Sequence, residues 1–473
     1  MTSAPAAGTL PPVVESDQDD LAAQRFVLDL ALQPLDRFDG FDRIEQIGGS
    51  ALRYQLNFIA YALAMAQYTR TPAFTGYLAE AQRNAILKMC DKGVWGYWAT
   101  ESLIGYGRRE TDPIRHANVM YSGYFGVMIG LYETLNDADS RFDRPGGLTL
   151  RWSPNLVHEY DFARLCAAIR RNMLARKNCP QYACEPHLIY PICNVFAFNT
   201  LVMHDRLHGT AFTGDLVDRI RHSYLHDGWR LRNGRFIPGR LGPSITISRP
   251  VLGYDAGMVA WLNAMMPDLA RDTWTTLRDR FVDFDGQQVR LRGSSRARVD
   301  LGNYNVINGD GMTRIFVATA AAEMGDSDLA AALVRSMHDR YRVEERNGAR
   351  RFAGVSTVTN AHHALARFNR PDGLRDLVLG AVPPEWRTGP ILGIAPYPDV
   401  LVAKAVTDGS ALELVLRPGR GAGRVRLGLR RLIPHRTYRV TGAIEPSVVA
   451  DDSGEGVIEV DLGGRHDVRV TPA

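Results

Sequence analysis

The chain has 473 residues, of which 45% are hydrophobic and 23% are charged, a composition that allows a globular protein to bury a large core. Its net charge of +4 comes from interspersed acidic and basic residues, and no basic stripe with interleaved aromatic residues indicates a nucleic-acid partner. No apolar run approaches the roughly 18 residues that span a bilayer, so the sequence predicts no membrane span.

Residues 1–18 are rich in Ala, Pro, Ser and acidic residues, and they are predicted to form a disordered tail. They contain no basic segment followed by an apolar one, so a signal peptide is not expected. Five cysteines are too few, and odd in number, for a disulfide framework. A cytoplasmic protein with reduced thiols is therefore expected.

From residue 19 to residue 395 the pattern is mainly helical. Segments that are apolar on most faces alternate with segments that have one polar face. The apolar segments include residues 51–71, 118–135 and 191–207, and the segments with a polar face include residues 76–92, 158–177 and 213–226. Such alternation is typical of an α/α toroid, in which an outer ring of helices covers an inner one, and residues 19–395 are predicted to be the catalytic domain.

After residue 395 apolar and polar residues alternate with a period of two, and clusters of Gly, Pro and Asp separate the alternating segments. This pattern predicts a small antiparallel β module, similar to a sandwich, over residues 396–473. The module contains little obvious chemistry, and a structural role is expected for it.

The most informative segment covers residues 182–194, where Cys184 and Cys193 lie close to Glu185 and His187. Structural zinc sites usually pair cysteines about two to four residues apart, so this spacing disfavours a metal. A reducing compartment disfavours a disulfide. Two interpretations remain, namely small buried residues without chemistry and a reactive pair near the start of a helix that opens with Pro191.

Three segments, ACEPHLIYPICN, DPIRHANVMYSGYFGVMIGLYETL and ALRYQLNFIAYALA, resemble the linalool dehydratase-isomerase family. The resemblance is clear over about residues 35–395. It implies an (α/α)6 barrel, a homo-oligomer, a small hydrophobic terpenoid substrate, and a reaction that uses neither a metal nor an organic cofactor. We therefore expect an acid/base lyase or isomerase that acts on a terpenoid alcohol or related isoprenoid by dehydration or hydration, isomerisation, or proton-initiated cyclisation.

The resemblance also implies site residues. Cys184 and Cys193 match the paired active-site cysteines, Tyr54 matches a tyrosine near the substrate hydroxyl, and Met120 and Tyr254 match pocket residues. The best-known member has a histidine where this chain has Tyr124, which as a weaker base and a neutral donor is itself a candidate catalytic residue. It also has an aspartate where this chain has Gly48, with Asp42 and Glu45 nearby.

The chemistry of dehydration adds further candidates, because it needs an acid at the hydroxyl and a base at a neighbouring C–H. Glu185 and Asp255 are the candidate catalytic carboxylates, although capping a helix is the favoured interpretation of Asp255. Tyr190 and Phe196 could line the pocket and stabilise a cation through their ring faces, or simply pack in the core. His116, which precedes a buried helix, could contact the substrate or cap that helix.

Two other functions remain open. Toroids followed by β modules also host carbohydrate lyases, hydrolases and epimerases, which need paired acids and aromatic platforms. The candidates for those roles are Glu101, Glu110, Asp112 and Asp255 as acids, and Trp95 and Trp98 as platforms. A non-catalytic ligand-binding homologue would also be consistent with the altered histidine and aspartate positions.

Overall fold

The computed structural model describes residues 10–43, 52–136, 141–176, 179–294, 300 and 310–473. These residues form a mixed helical and sheet protein that divides into two compact units. The larger unit comprises Ala22–Met65 and Ala79–Ala381, and the smaller comprises Met1–Leu21, Ala66–Leu78 and Val382–Ala473.

The described part of the chain contains sixteen helices. They are α1 (Gln18–Ala31), α2 (Leu52–Arg70), α3 (Gly76–Met89), α4 (Lys92–Trp95), α5 (Trp98–Tyr106), α6 (Val119–Leu135), α7 (Phe162–Leu174), α8 (Pro191–His208), α9 (Leu216–His226), α10 (Leu252–Leu262), α11 (Pro267–Phe281), α12 (Asp310–Glu323), α13 (Ser327–Arg340), α14 (Thr357–Phe368), α15 (Gly373–Leu379) and α16 (Pro384–Thr388). None of these helices has both the length and the apolarity needed to cross a bilayer.

Buried and partly exposed helices alternate, as the apolar patterns predict. The helices buried on nearly all sides are α2, α6, α8, α10, α12 and α14. In each case the next helix along the chain has an exposed face, and these helices are α3, α7, α9, α11, α13 and α15.

The buried helices contact one another in chain order, α6 with α8, α8 with α10, α10 with α12, and α12 with α14. Helix α2 contacts α6, where the Tyr54 hydroxyl donates a hydrogen bond to Met120 Sδ at 3.2 Å. It also contacts α14, where Phe58 stacks on His362 with ring centroids 4.4 Å apart. The first and last of the six buried helices therefore meet.

Glycines allow α6 and α8 to approach closely. A Cβ atom on Gly123 would lie 2.8 Å from the backbone nitrogen of Ala197, and one on Gly130 would lie 2.8 Å from Met203 Sδ. Because the contacts advance along both helices in the same direction, α6 and α8 are parallel and their first turns are neighbours.

Short antiparallel strands connect the helices of the larger unit. They are β1 (Leu148–Ser153), β2 (Leu156–Tyr160), β3 (Leu188–Ile189), β4 (Arg240–Leu241), β5 (Ile245–Thr246), β6 (Val282–Phe284), β7 (Val289–Leu291), β8 (Val343–Arg346) and β9 (Ala349–Phe352). The segment that follows Cys184 belongs to a three-stranded sheet of order β3-β4-β5.

The predicted C-terminal antiparallel strands are present in the smaller unit. They are β10 (Ile391–Ile394), β11 (Val400–Thr407), β12 (Leu412–Pro418), β13 (Gly423–Arg430), β14 (Thr437–Thr441), β15 (Ser447–Val449), β16 (Gly456–Leu462) and β17 (His466–Pro472). They form two sheets, of order β10-β13-β16 and β11-β12-β17-β14-β15. Because β10 pairs with β13, the unit begins before the predicted boundary at residue 396.

Part of the segment predicted as a disordered tail has defined contacts in the smaller unit. The Ser16 N–H donates to the Ala403 carbonyl at 2.9 Å, and Glu15 pairs with Arg417 at 3.0 Å and with Arg465 at 2.9 Å. Helix α1 begins at Gln18. Residues 10–18 therefore differ from the expectation, whereas residues 1–9 lie outside the described residues.

Candidate active site

Cys184 and Cys193 lie side by side, with the Cys184 thiol donating to Cys193 Sγ at 3.4 Å. Both are buried and neither forms a disulfide. Burial raises the pKa of Cys184 well above its ordinary value, and Cys193 and Glu185 raise it further while Arg53 lowers it. Cys184 is therefore a neutral thiol at rest, which can donate a proton but needs a partner to accept one.

One buried amide holds the two cysteines together. Asn194 accepts a hydrogen bond from the Tyr182 N–H at 3.0 Å, and its Nδ2 donates to the carbonyls of Tyr182 at 3.1 Å and Tyr190 at 3.0 Å. Between those points the chain turns back on itself, because the Cys184 N–H donates to the Leu188 carbonyl at 2.7 Å. Asn194 thus fixes the Cys184 segment against the first turn of α8, which contains Cys193.

Tyr124 lies next to Cys193, so that Cys184, Cys193 and Tyr124 form a row of groups, here called the thiol row. Its hydroxyl lies 3.8 Å from Cys193 Sγ, and its ring stacks on Phe196 at a centroid distance of 3.9 Å. Tyr54 makes an edge contact with Tyr124 at 5.7 Å. Two thiols and a phenol are therefore in sequence at the neighbouring N-terminal ends of α6 and α8.

Met120 is the common acceptor of two polar groups on α2. The Tyr54 hydroxyl donates to its Sδ at 3.2 Å, and Arg53 donates to it at 3.3 Å. The Arg53 guanidinium also lies 4.0 Å from the ring centroid of Tyr97. Burial lowers the pKa of Arg53, but the nearby phenols and carboxylates outweigh burial, so the net direction is upward and the side chain stays charged.

Glu101 on α5 is a carboxyl group within electrostatic range of the same cluster. Burial raises its pKa to about 7, with Arg53 lowering it and Glu185 raising it. Its Oε2 is buried and has no hydrogen-bond partner in the part of the chain that the structure describes. This carboxyl can therefore hold or release a proton near neutral pH.

Aromatic rings continue from Tyr124 into the core. Phe196 contacts Trp261 at 4.5 Å and Tyr61 at 5.8 Å, and all of these rings are buried. Tyr61 and Trp261 were not predicted to be site residues, because both lie in apolar helical segments where such rings usually pack in the core. The surroundings of Tyr124 and Phe196 are therefore dry and rich in ring faces.

Three further predicted residues lie near the thiols. Tyr254 accepts a hydrogen bond from the Ile192 N–H, next to Cys193, at 2.9 Å. Burial raises the pKa of Tyr190, and Glu185 and both cysteines raise it further, which places its hydroxyl within electrostatic range of them. Glu185 follows Cys184 in the turn and is partly buried.

Two predicted residues lie apart from the thiols in the described contacts. Asp255 is buried and pairs with Arg235 at 2.7 Å, while its other oxygen accepts the Phe236 N–H at 2.9 Å. Burial raises its pKa to about 6, although Arg235 lowers it. It is not a helix cap either, because Val251 occupies that position of α10. His116 is exposed, and its ring lies 5.4 Å from that of Tyr106.

The positions considered for the missing aspartate supply no acid within the described site. Gly48 and Glu45 lie outside the described residues. Asp42 accepts a hydrogen bond from the Thr357 N–H at 2.5 Å, at the start of α14.

The sugar-binding candidates are occupied or buried. Trp95 and Trp98 are each 1% exposed, so neither presents a face for stacking. Asp112 accepts hydrogen bonds from the Tyr160 hydroxyl at 2.8 Å and from the Ile114 N–H at 3.0 Å.

Sequence analysis did not assign a role to Arg53 or Asn194. An arginine in the otherwise apolar run ALRYQLNFIAYALA is the kind of buried charge that marks a site. No feature of the sequence indicates a role for Asn194, because its hydrogen-bond partners become apparent only when the turn and the helix are folded.

Comparison with known proteins identifies the family of the chain. A family model described as linalool dehydratase/isomerase matches residues 53–358, more than half of the chain. The chain belongs to this family. Among solved structures it is similar to a GH127 β-L-arabinofuranosidase from Geobacillus stearothermophilus T6, at 10% identity over 96% of this chain and 76% of that chain, with a TM-score of 0.26. A likeness at that score carries no weight for the fold or the activity.

Proposed function

We propose that the chain is a cofactor-independent acid/base lyase or isomerase acting on a terpenoid alcohol or related isoprenoid. The reaction is a dehydration or hydration, an isomerisation, or a proton-initiated cyclisation. The observation that carries this proposal is the contact of Cys184 with Cys193 beside Tyr124 in a buried aromatic environment. Membership of the family supports a lyase or isomerase, and the apolar surroundings support a hydrophobic substrate.

In the dehydration direction, one group of the site first donates a proton to the substrate and then takes a proton from it. A neutral donor, Cys184 or Tyr124, protonates the substrate hydroxyl, the C–O bond breaks, and water leaves a carbocation. The thiolate or phenolate so formed then removes a proton from the adjacent C–H, and its electron pair becomes the double bond. The donor is thus restored, and no redox step is needed.

The rings supply the remaining stabilisation. A carbocation beside the stacked pair of Tyr124 and Phe196 meets an outer ring face, whose negative quadrupole favours positive charge. Because these rings are buried, no bulk water competes for the cation at this position.

The contacts among the buried helices support the (α/α)6 barrel as the architecture of the larger unit. Six such helices contact one another in chain order, and α2 also meets α14. In such a barrel the N-terminal ends of α6 and α8 place Tyr124 and Cys193 at one opening. The homo-oligomeric state and the cytoplasmic address stay predictions.

Alanine substitution of each cysteine, and of both together, tests the proposal. Wild type and variants are incubated with a panel of prenyl alcohols and cyclic terpenoids, and the products are read by mass spectrometry. We expect each single variant to lose about 10²- to 10⁴-fold in kcat/KM, as for other acid/base groups. The double variant should be little worse than either single one, because the two thiols act as a unit.

Cys166→Ala and Cys179→Ala are the matched controls, because both residues are buried free cysteines whose thiols make no contact with the pair in the described structure. They should keep wild-type turnover. Undiminished turnover in Cys184→Ala and Cys193→Ala contradicts the assigned role. Binding without products across the panel would indicate a non-catalytic homologue. A parallel incubation with glycosides tests the carbohydrate alternative, which products from glycosides alone would favour.

A further inference from the structure

A second group of ionisable side chains lies at the other end of α6 and α8. His208 Nε2 is 3.0 Å from Glu133 Oε2 and 3.4 Å from Asp143 Oδ1. The ligating atoms of the three residues all lie within 4.8 Å of one another. This is the one group of three or more potential metal ligands found among the described residues.

The helix pair creates this group. Glu133 is in the last turn of α6 and His208 is the last residue of α8, and the two helices are parallel and in close contact. The negative ends of two helix dipoles therefore coincide here, and they favour a cation. Cys193 is fifteen residues before His208 on α8, which at the helical rise of 1.5 Å per residue separates the two groups by about 22 Å.

Two carboxylates face the same imidazole nitrogen, that of His208. Nε2 carries a single hydrogen, yet two carboxylates face it at 3.0 and 3.4 Å. A third carboxylate, Asp161, also acts electrostatically on Asp143. One Asp161 oxygen accepts a hydrogen bond from the Arg164 backbone N–H at 2.7 Å, and the other lies 3.4 Å from the Arg164 guanidinium. A divalent ion placed between the three ligands would contact both carboxylates and the imidazole nitrogen at once.

The distances suit such an ion. Zinc binds imidazole nitrogen and carboxylate oxygen at about 2.0–2.2 Å, so neighbouring ligand atoms in a tetrahedral site are about 3.3–3.6 Å apart. Both short contacts are near that range. The imidazole favours zinc and similar transition metals over magnesium, which prefers oxygen ligands and keeps several waters.

The burial of the ligands indicates a site that is both held and accessible. The Glu133 side chain is 3% exposed, whereas those of Asp143 and His208 are 29% and 28% exposed. One ligand is thus fixed in the core, and the other two leave an entry path and room for a water ligand.

We propose that Glu133, Asp143 and His208 bind a divalent transition-metal ion of the zinc type, which fastens the C-terminal ends of α6 and α8 together. The ion is structural and is separate from the thiol site. The proposal therefore does not depend on the proposed function.

Isothermal titration of the EDTA-stripped full chain with Zn²⁺, and in parallel with Mg²⁺, tests this site. We expect one Zn²⁺ to bind and to raise the midpoint of thermal unfolding, with no comparable effect of Mg²⁺. Asp143→Asn and His208→Ala should weaken binding by more than about tenfold, because even outer partners of metal ligands cost about 10- to 100-fold when changed. Asp143→Asn keeps shape and lies near the surface, so it guards against misfolding of the other variant.

His226→Ala is the matched control. The rings of His222 and His226 are 4.5 Å apart at 38°, the same geometry as those of His204 and His208, but no group of three ligands among the described residues includes them. An equal loss of affinity in His226→Ala means that zinc binds to histidine pairs on the surface and overturns the proposal. Zinc held by the cysteines would be insensitive to Asp143→Asn, and Co²⁺ bound there would show a thiolate charge-transfer band. Either result, or no zinc binding, also overturns it.

Discussion

Tyr124 determines which acid/base chemistry the thiol row can perform. A histidine at this position, as in the best-known family member, could accept a proton near neutral pH, whereas a phenol is a neutral donor. The Cys184 thiol is also a neutral donor. In the proposed reaction these groups therefore start protonated, and one of them can act as a base only after it has donated its proton.

Tyr124→Phe separates the hydroxyl from the ring. The hydroxyl that contacts Cys193 at 3.8 Å is lost, while the ring can keep its stacking on Phe196. We expect kcat to fall at least about tenfold with little change in KM, since the lost contact acts in proton transfer rather than in binding. Steady-state kinetics on the substrate identified from the prenyl panel measures both.

Tyr224→Phe is the control for that experiment, because it also removes a fully buried hydroxyl, one without a hydrogen-bond partner in the described structure. It should leave kcat unchanged. A Tyr124→Phe variant as active as Tyr224→Phe would mean that Tyr124 contributes its ring alone.

At the residue scale, the sequence predicted those site residues that belong to a recognisable motif. Cys184, Cys193, Met120 and Tyr124 were selected from two separate segments, and the structure brings them together. Asp255 was selected for its place near a helix start, but its partner Arg235 lies in a different segment. Such pairing is a tertiary property, which no local pattern reports.

At the scale of elements, α6 and α8 form the scaffold of the candidate site. Met120 and Tyr124 are on one helix and Cys193 and Phe196 on the other. The sequence predicted these helices well because both are apolar on all faces. It could not predict that they are parallel or that their first turns meet, since this follows from contacts between distant residues.

Gly123→Ala tests how far the site depends on the approach of the two helices. The new methyl group would meet the backbone of Ala197 at 2.8 Å, and backbone cannot rotate away. We expect a loss of about 1–3 kcal/mol in the free energy of unfolding, the usual cost of overpacking. Denaturant unfolding measures it, and turnover should fall as Tyr124 moves away from Cys193.

Gly253→Ala is the matched change on α10, where the nearest atom to the new methyl would be 3.4 Å away, an ordinary contact. This variant should be as stable as wild type or slightly more so, because alanine favours the helix. Equal destabilisation of both variants would show that any added methyl is harmful in these helices.

At the scale of the whole molecule, buried carboxyl groups make stability depend on pH. Burial raises the pKa of Glu101 and Glu323 to about 7 and that of Asp255 to about 6. For Glu323 burial prevails although four N–H donors lower the pKa. Between their ordinary pKa values and these raised ones, the unfolded chain releases protons that the folded chain keeps.

These three carboxyl groups should therefore lower the free energy of unfolding as the pH rises from about 5 to about 8, because the unfolded state is favoured by ionisation that the folded state resists. The buried imidazoles of His204 and His362, whose pKa values burial lowers to about 4 and about 3, act in the opposite direction, so the effect of a single carboxyl has to be measured by difference. Urea unfolding at both pH values measures this difference. Glu101→Gln mimics the protonated form, so it should match wild type at pH 5 and exceed it at pH 8. The same change at exposed Glu159 should leave the wild-type dependence intact, and a Glu101→Gln variant with the same dependence on pH as wild type would contradict the expectation.

The smaller unit has a consequence for how the protein is made. Its three segments are far apart in sequence, and a hydrogen bond from the Val402 N–H to the Tyr77 hydroxyl joins residues 325 positions apart. Strand β17 is central in the five-stranded sheet. On the ribosome, residues 66–78 must therefore wait until residues 382–473 have been synthesised before their partners in the smaller unit exist, and during that interval their apolar side chains are available to chaperones.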